Sequence, residues 1–187
     1  MPCFIIKIKP FLKMNKIVKI ILIIAVVLVI AFFGLKSFTK SKSPAETAKF
    51  DQNGLTVQVD YSRPYKKGRE IFGKLLPYGQ VWRTGANEAT IFDVKQDIKI
   101  GDKSLKAGKY TLWTIPNADK WTVILNSETG QWGTNYNEKK DVVRVEVPVG
   151  KSVEMMEQFK IDFAAAAIGA EMIFRWDNTE VKVPIGL

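Results

Sequence analysis

Apolar and polar residues divide the chain into two regions of different period. From Ile20 to Leu35 runs an uncharged stretch of 16 residues with no polar face, bracketed by Lys19 and Lys36. Counted from Ile17 it reaches 19 residues. At about 1.5 Å per residue that length spans close to the ~30 Å hydrocarbon core of a bilayer. The pattern therefore predicts a transmembrane helix over 17–35, since a core helix would keep a polar side. The exit, Ala31-Phe32-Phe33-Gly34-Leu35-Lys36, places bulky groups where a signal peptidase needs small ones, which favours an uncleaved signal anchor over a removed leader. A basic segment, 1–16, precedes it. Residues 36–50 are small and polar without apolar period and read as a tether.

Beyond residue 50 the period changes to two. Leu55, Val57, Val59 and Tyr61 alternate with Thr56, Gln58, Asp60 and Ser62, the pattern of a half-buried strand. Comparable runs recur at 92–95, 98–100, 110–115, 121–125, 143–147, 159–163, 172–176 and 181–185. Asn117 to Lys120 joins two of them as a hairpin, and Asp177-Asn178 reads as a turn. About eight or nine short strands with turn residues between them indicate an all-β domain over 51–187, an antiparallel β-sandwich or jelly-roll-like fold. Helix is scarce there. Glu70 to Leu76 reads as one helical turn ended by Pro77, and Ala164 to Ala167 as a loop or narrow strand contact.

Charge and composition then remove several classes of function. The net charge is +9, but eight of the 28 basic residues and none of the 19 acidic ones lie in residues 1–42. The β domain is thus close to neutral and carries no basic stripe able to neutralise a phosphate backbone, so nucleic-acid binding is not expected. The lone Cys3 precedes the apolar run, and histidine is absent. Disulfides, thiolate metal sites, cysteine nucleophiles and imidazole bases are therefore missing from the β domain, and no cofactor, metal site or catalytic residue is assigned. Lysines flank both ends of the span. If the chain starts at Met14, two precede it and three lie after it, so charge alone does not orient it. A span ahead of a domain ordinarily exports that domain, which places the β domain outside the cytoplasm, on the periplasmic or cell-surface side.

The least strand-like part of the domain is Arg63 to Glu88, where Arg, Trp, Asn and Gly crowd together. Arg63, Arg69, Trp82, Arg83, Asn87 and Glu88 offer an aromatic plane, guanidinium forks and an amide, groups suited to a glycan or a small polar ligand. The polar loop Asn126 to Tyr136 adds Trp132, which walls a cleft if that loop folds over the first and plugs the sandwich end if it does not. The competing structural reading pairs Arg83 and Glu88 with each other or with Arg63 and Arg69, pinning a long crossover against the sheet. Glu88 with a second acid, Asp93 being nearest in sequence, is the only candidate for a histidine-free, carboxylate-dependent hydrolase. A non-catalytic ligand-binding or structural module is the preferred reading, and the hydrolase its alternative.

Five segments in order carry a resemblance: Lys67 to Gly73 (K-G-R-E-I-F-G), Leu76 to Thr90 (L-P-Y-G-Q-V-W-R-T-G-A-N-E-A-T), Ala107 to Pro116 (A-G-K-Y-T-L-W-T-I-P), Trp121 to Asn126 (W-T-V-I-L-N) and Gln131 to Gly133 (Q-W-G). The chain resembles, over roughly Asp51 to Leu187, a bacterial family of exported proteins known as domain of unknown function twenty-nine eleven. The resemblance implies a β-rich envelope or secreted domain with no established activity, substrate or cofactor. It makes the W-R-T-G-A-N-E-A-T segment the family's hallmark. It carries no catalytic residue across.

Overall fold

A computed structural model describes residues 15–187, the side chains of 35–39 excepted. The basic segment expected over 1–16 lies outside the described residues up to residue 14. Two compact units divide at Phe38 and Thr39.

The first holds most of helix α1 (Lys16–Lys42). Between Lys16 and Gly34 the helix is long and apolar enough to cross a membrane. Every large apolar side chain from Ile17 to Phe33 is exposed. A helix that is apolar on all sides has no aqueous face, as in a membrane span or a signal sequence.

The second unit is all-β. Nine antiparallel strands, β1 (Ala45–Gln52), β2 (Leu55–Ser62), β3 (Thr90–Val94), β4 (Ile98–Ile100), β5 (Lys103–Leu105), β6 (Gly108–Ile115), β7 (Lys120–Asn126), β8 (Asp141–Ala165) and β9 (Ala170–Gly186), form one ladder in the order β1-β2-β3-β6-β7-β8-β9-β4-β5. The long β8 links its halves: residues 141–148 pair with β7, and 149–165 pair with β9. Because β8 serves both halves, their inner faces come together. Phe50 of β1 meets Phe163 of β8, Tyr61 of β2 meets Phe159, and Trp121 of β7 stacks on Phe174 of β9. Alternation sets which side chains enter: Val143, Val145 and Val147 are buried while Arg144 and Glu146 are exposed.

A small second core lies apart from the main one. Ala89, Trp113 and Ile124 pack with Ile115 and Tyr136, so the loop carrying Tyr136 covers part of the β6–β7 surface.

Three local readings change and a fourth is resolved. Residues 36–50 are not a tether, because α1 continues to Lys42 and β1 begins at Ala45, paired with β2 in full register from Ala45↔Ser62 to Gln52↔Leu55. Its sequence hid the strand because an edge strand needs few apolar residues, and only Ala48 and Phe50 are buried. Glu70 to Leu76 forms turns instead of a helix. Gly73 takes φ 88, Ile71 and Phe72 turn into the core, and Phe72 packs 5.1 Å from Trp121. Asp177-Asn178 is no chain reversal but an irregularity within β9, where the β8 register shifts and Asp177 takes φ 54. Ala164 and Ala165 are strand residues, and β8 meets β9 through a short turn over 166–169.

Candidate functional site

The crossover from β2 to β3, residues 63–89, carries the polar cluster. Its path is set by a few fixed points. Trp82 exchanges two backbone hydrogen bonds with Thr114 of β6, at 2.7 and 2.9 Å. Its indole drops into the core, stacked 5.9 Å from Trp176 and edge-on to Phe159 at 4.9 Å, and Nε1 donates to the Gly85 carbonyl at 3.0 Å. A tryptophan held this way fixes the direction of the residue after it. Arg83 is thereby turned out of the core, half-buried.

Downstream the loop is strained. Thr84 and Asn87 take φ 50 and φ 62, and for a β-branched threonine that region is disfavoured. Thr84 is fully buried and is held by its hydroxyl against Thr114 Oγ1 at 3.2 Å and by Thr90 Oγ1, which donates to its carbonyl at 3.0 Å. Gly85 is favoured by close approach, since a Cβ there would lie 3.0 Å from both the Ser62 carbonyl oxygen and Thr90 Oγ1 and would press them aside.

These constraints open a cleft of about 440 Å³. Trp82 and Trp176 contribute to its lining, Arg83 and Asn87 come from the strained loop, and Lys67 and Arg69 from the turn after β2. Lys42 also lines it. The lining residues include four cationic side chains and no carboxylate. A hollow of about 190 Å³ adjoins it, sharing Leu75, Leu76, Trp82 and Arg83 and adding Gly133.

The hydrogen-bond pattern of the loop is lopsided. The carbonyls of Trp82, Thr84, Gly85 and Asn87 all accept from protein donors. The N–H groups of Gly85, Ala86 and Asn87 find no protein acceptor among the described residues. Trp176 Nε1 is a buried donor with no partner either. Arg83 donates to the Asn87 carbonyl at 3.0 Å and, among the described residues, pairs with no acid. Burial alone pulls its guanidinium below the ordinary arginine value. Among the described residues Arg69 likewise donates only to the carbonyls of Lys66 and Tyr65, at 2.9 and 2.5 Å.

Of the seven residues chosen from sequence, Arg69, Trp82, Arg83 and Asn87 share this cleft and three do not. Arg63 is a clamp between strands, its Nη1 2.5 Å from Glu46 of β1 and its Nε donating to the Phe159 carbonyl of β8 at 2.9 Å. Glu88 forms an ion pair with Lys40 at 3.1 Å. It is joined to Arg83 by no ion pair, so the expected bracing of one by the other is absent. Trp132 pairs through its backbone with Glu88 and leaves its side chain exposed, lining neither hollow.

The two loops nevertheless meet. Gly133 donates to the Asn87 carbonyl at 3.3 Å, and a Cβ on Gly133 would sit 2.3 Å from Arg83 Cδ. The glycine of Q-W-G, not its tryptophan, is what touches the arginine. Sequence reading also missed Lys67 and Trp176. The first belongs to a conspicuous basic turn, whereas the second carries a strand's core spacing and gives no sign of its unpaired nitrogen.

The profile of the family described as "Protein of unknown function (DUF2911)" covers residues 43–185. No curated protein and no solved structure matches.

Proposed function

Since the chain belongs to this family of proteins of unknown function, we propose from the cleft itself that it is a membrane-anchored, non-catalytic module that binds a small polar ligand or glycan outside the cytoplasm. The observation that carries the reading is Arg83. A half-buried guanidinium with one carbonyl partner and no acid keeps most of its N–H donors available to a ligand. The strain at Thr84, the buried residue next to Arg83 in the same loop, is the kind that persists where surrounding structure holds a site ready.

A purely structural role has one observation in its favour. Trp82, at the head of the hallmark segment, is a core residue 7 % exposed. The two roles separate by residue, with Trp82 and Thr84 shaping the loop and Arg83 facing the cleft. The hydrolytic alternative lacks a matched pair of acids, for no carboxylate lines the cleft. Asp93 lies five residues beyond Glu88 along extended chain, on the order of 16 Å away at about 3.3 Å per residue, too far for paired carboxylates.

Screening saccharides and organic acids by thermal shift and calorimetry tests the reading. A ligand whose affinity falls in Arg83→Met supports it. Loss of folding in that variant, with no ligand found for the parent chain, argues for the structural role. Orientation is tested by protease added to intact cells and spheroplasts: digestion of the β domain from outside supports export, and protection until the cytoplasmic membrane is broken contradicts it.

A further inference from the structure

We infer that the ligand group received by this cleft is an oxyanion, a carboxylate or phosphate, held by Arg83 and Arg69 together with the N–H donors of the Gly85–Asn87 wall and Trp176. The inference rests on the binding reading above and narrows it by chemistry.

Three independent features agree. The first is charge: Lys42, Lys67, Arg69 and Arg83 line one cleft with no acid among them, although the domain as a whole is close to neutral. Cationic residues gathered on a neutral body mark a place where negative charge lowers the energy. The second is hydrogen-bond polarity. Four carbonyls of the loop accept from protein donors, whereas the consecutive N–H groups of Gly85, Ala86 and Asn87 have no acceptor among the described residues, so what the wall chiefly lacks is acceptors. A neutral sugar hydroxyl brings, with its acceptor lone pairs, a proton that itself needs an acceptor, whereas a carboxylate supplies only acceptors and a phosphate mostly acceptors. Arg83 uses one of its five N–H donors in the fold. Its planar fork matches a two-oxygen anion.

The third is the unpaired Trp176 Nε1. Buried donors almost always have a partner, so an orphan among a binding cleft's lining residues points to an acceptor brought by the ligand. Neutral stacking is poorly served in comparison. Trp82 and Trp176 are 7 % and 2 % exposed and leave little indole face for a sugar ring.

The test is calorimetric titration of the full chain in nonionic detergent with three probes: sodium galacturonate, neutral galactose and inorganic phosphate. Galacturonate and phosphate separate a carboxylated saccharide from a free phosphate as the source of the anion. The expected result is that at least one anion binds about tenfold or more tighter than galactose, as charged hydrogen bonds imply, and weakens with added salt. Arg69→Gln and Arg83→Met should each lower that affinity about tenfold. Arg69 is exposed and its removal leaves the core intact, so this variant keeps the test valid should Arg83→Met fold poorly. Galactose binding as tightly as galacturonate and phosphate would overturn the oxyanion inference and leave the polar-ligand reading standing. No heat with any probe would overturn both. Anion binding unchanged in both variants would overturn the assignment to this cleft.

Discussion

Gly133→Ala tests how the two loops hold the cleft, because the substitution adds one methyl group and little else. Gly133 is not among the positive-φ glycines, so alanine meets no backbone penalty there. The steric demand is severe. The new Cβ would lie 2.3 Å from Arg83 Cδ, 2.8 Å from Arg83 Nε and 2.7 Å from the Asn87 carbonyl oxygen, all well inside contact distance. The arginine can swing aside, but the Asn87 carbonyl is backbone in a loop already strained at φ 62, and it also accepts from Gly133 and Arg83. Relief therefore means pushing Arg83 off that carbonyl or parting the loops. Overpacking of this kind costs about 1–3 kcal/mol, and each kcal/mol lowers Tm by about 2–4 °C in a domain of this size. Differential scanning fluorimetry reads the first effect and titration with the best anionic probe the second. Both Tm and affinity should fall. A variant with unchanged Tm and unchanged affinity would refute the claim that the second loop holds Arg83 in place.

Other substitutions separate the remaining roles. Trp132→Ala, which removes an exposed side chain outside both hollows, should change stability by no more than about 0.5 kcal/mol and leave probe affinity alone; a lost affinity in titration would return Trp132 to the cleft wall. Trp82→Ala should destabilise by about 3–5 kcal/mol in urea denaturation, since it empties the space beside Trp176 and leaves the Gly85 carbonyl without its donor. Tyr61 gives a pH dependence. Burial pushes its phenol up to about 12 from 10.0, so its contribution is complete below pH 10 and disappears as pH rises through 12. Two pH units correspond to about 2–3 kcal/mol. In alkaline urea titrations Tyr61→Phe should lose much of that slope, and should also cost about 1–3 kcal/mol at neutral pH by leaving the Ile161 backbone unpaired. The full chain should partition into detergent and sediment with membranes, and recovery in the aqueous phase would contradict the proposed membrane anchor.

Strands whose side chains alternate between one core and solvent were legible, as at Leu55 to Tyr61, Val143 to Val147 and Val181 to Ile185, because burial there imposes period two. Edge strand β1 was not, since Ala45-Glu46-Thr47-Ala48-Lys49-Phe50 buries only two side chains and resembles a linker. Residues 70–76 imitate a helix because Ile71, Phe72, Leu75 and Leu76 recur at helical spacing, while Gly73 and contacts with the distant Trp121 and Trp176 decide otherwise. The cleft was half legible. A cluster of Arg, Trp and Asn in a loop drew attention to the right segment, yet which member turns inward depends on pairing with Thr114, a residue of another strand. In sequence Trp82 looks like a ligand platform, although its indole is mostly core. Arg63 and Glu88 find charged partners in β1 and at Lys40, neither of which local sequence reveals.

The most direct measurement is the indole region of a proton–nitrogen correlation spectrum of the full chain, titrated with galacturonate and phosphate and assigned with Trp176→Phe. If an anion completes the donor wall, the Trp176 indole N–H signal moves downfield at saturation while that of Trp113, already donating to Thr111, stays in place. A Trp176 signal that does not move while either probe binds elsewhere, or that moves equally with galactose, would contradict an anion-receiving cleft.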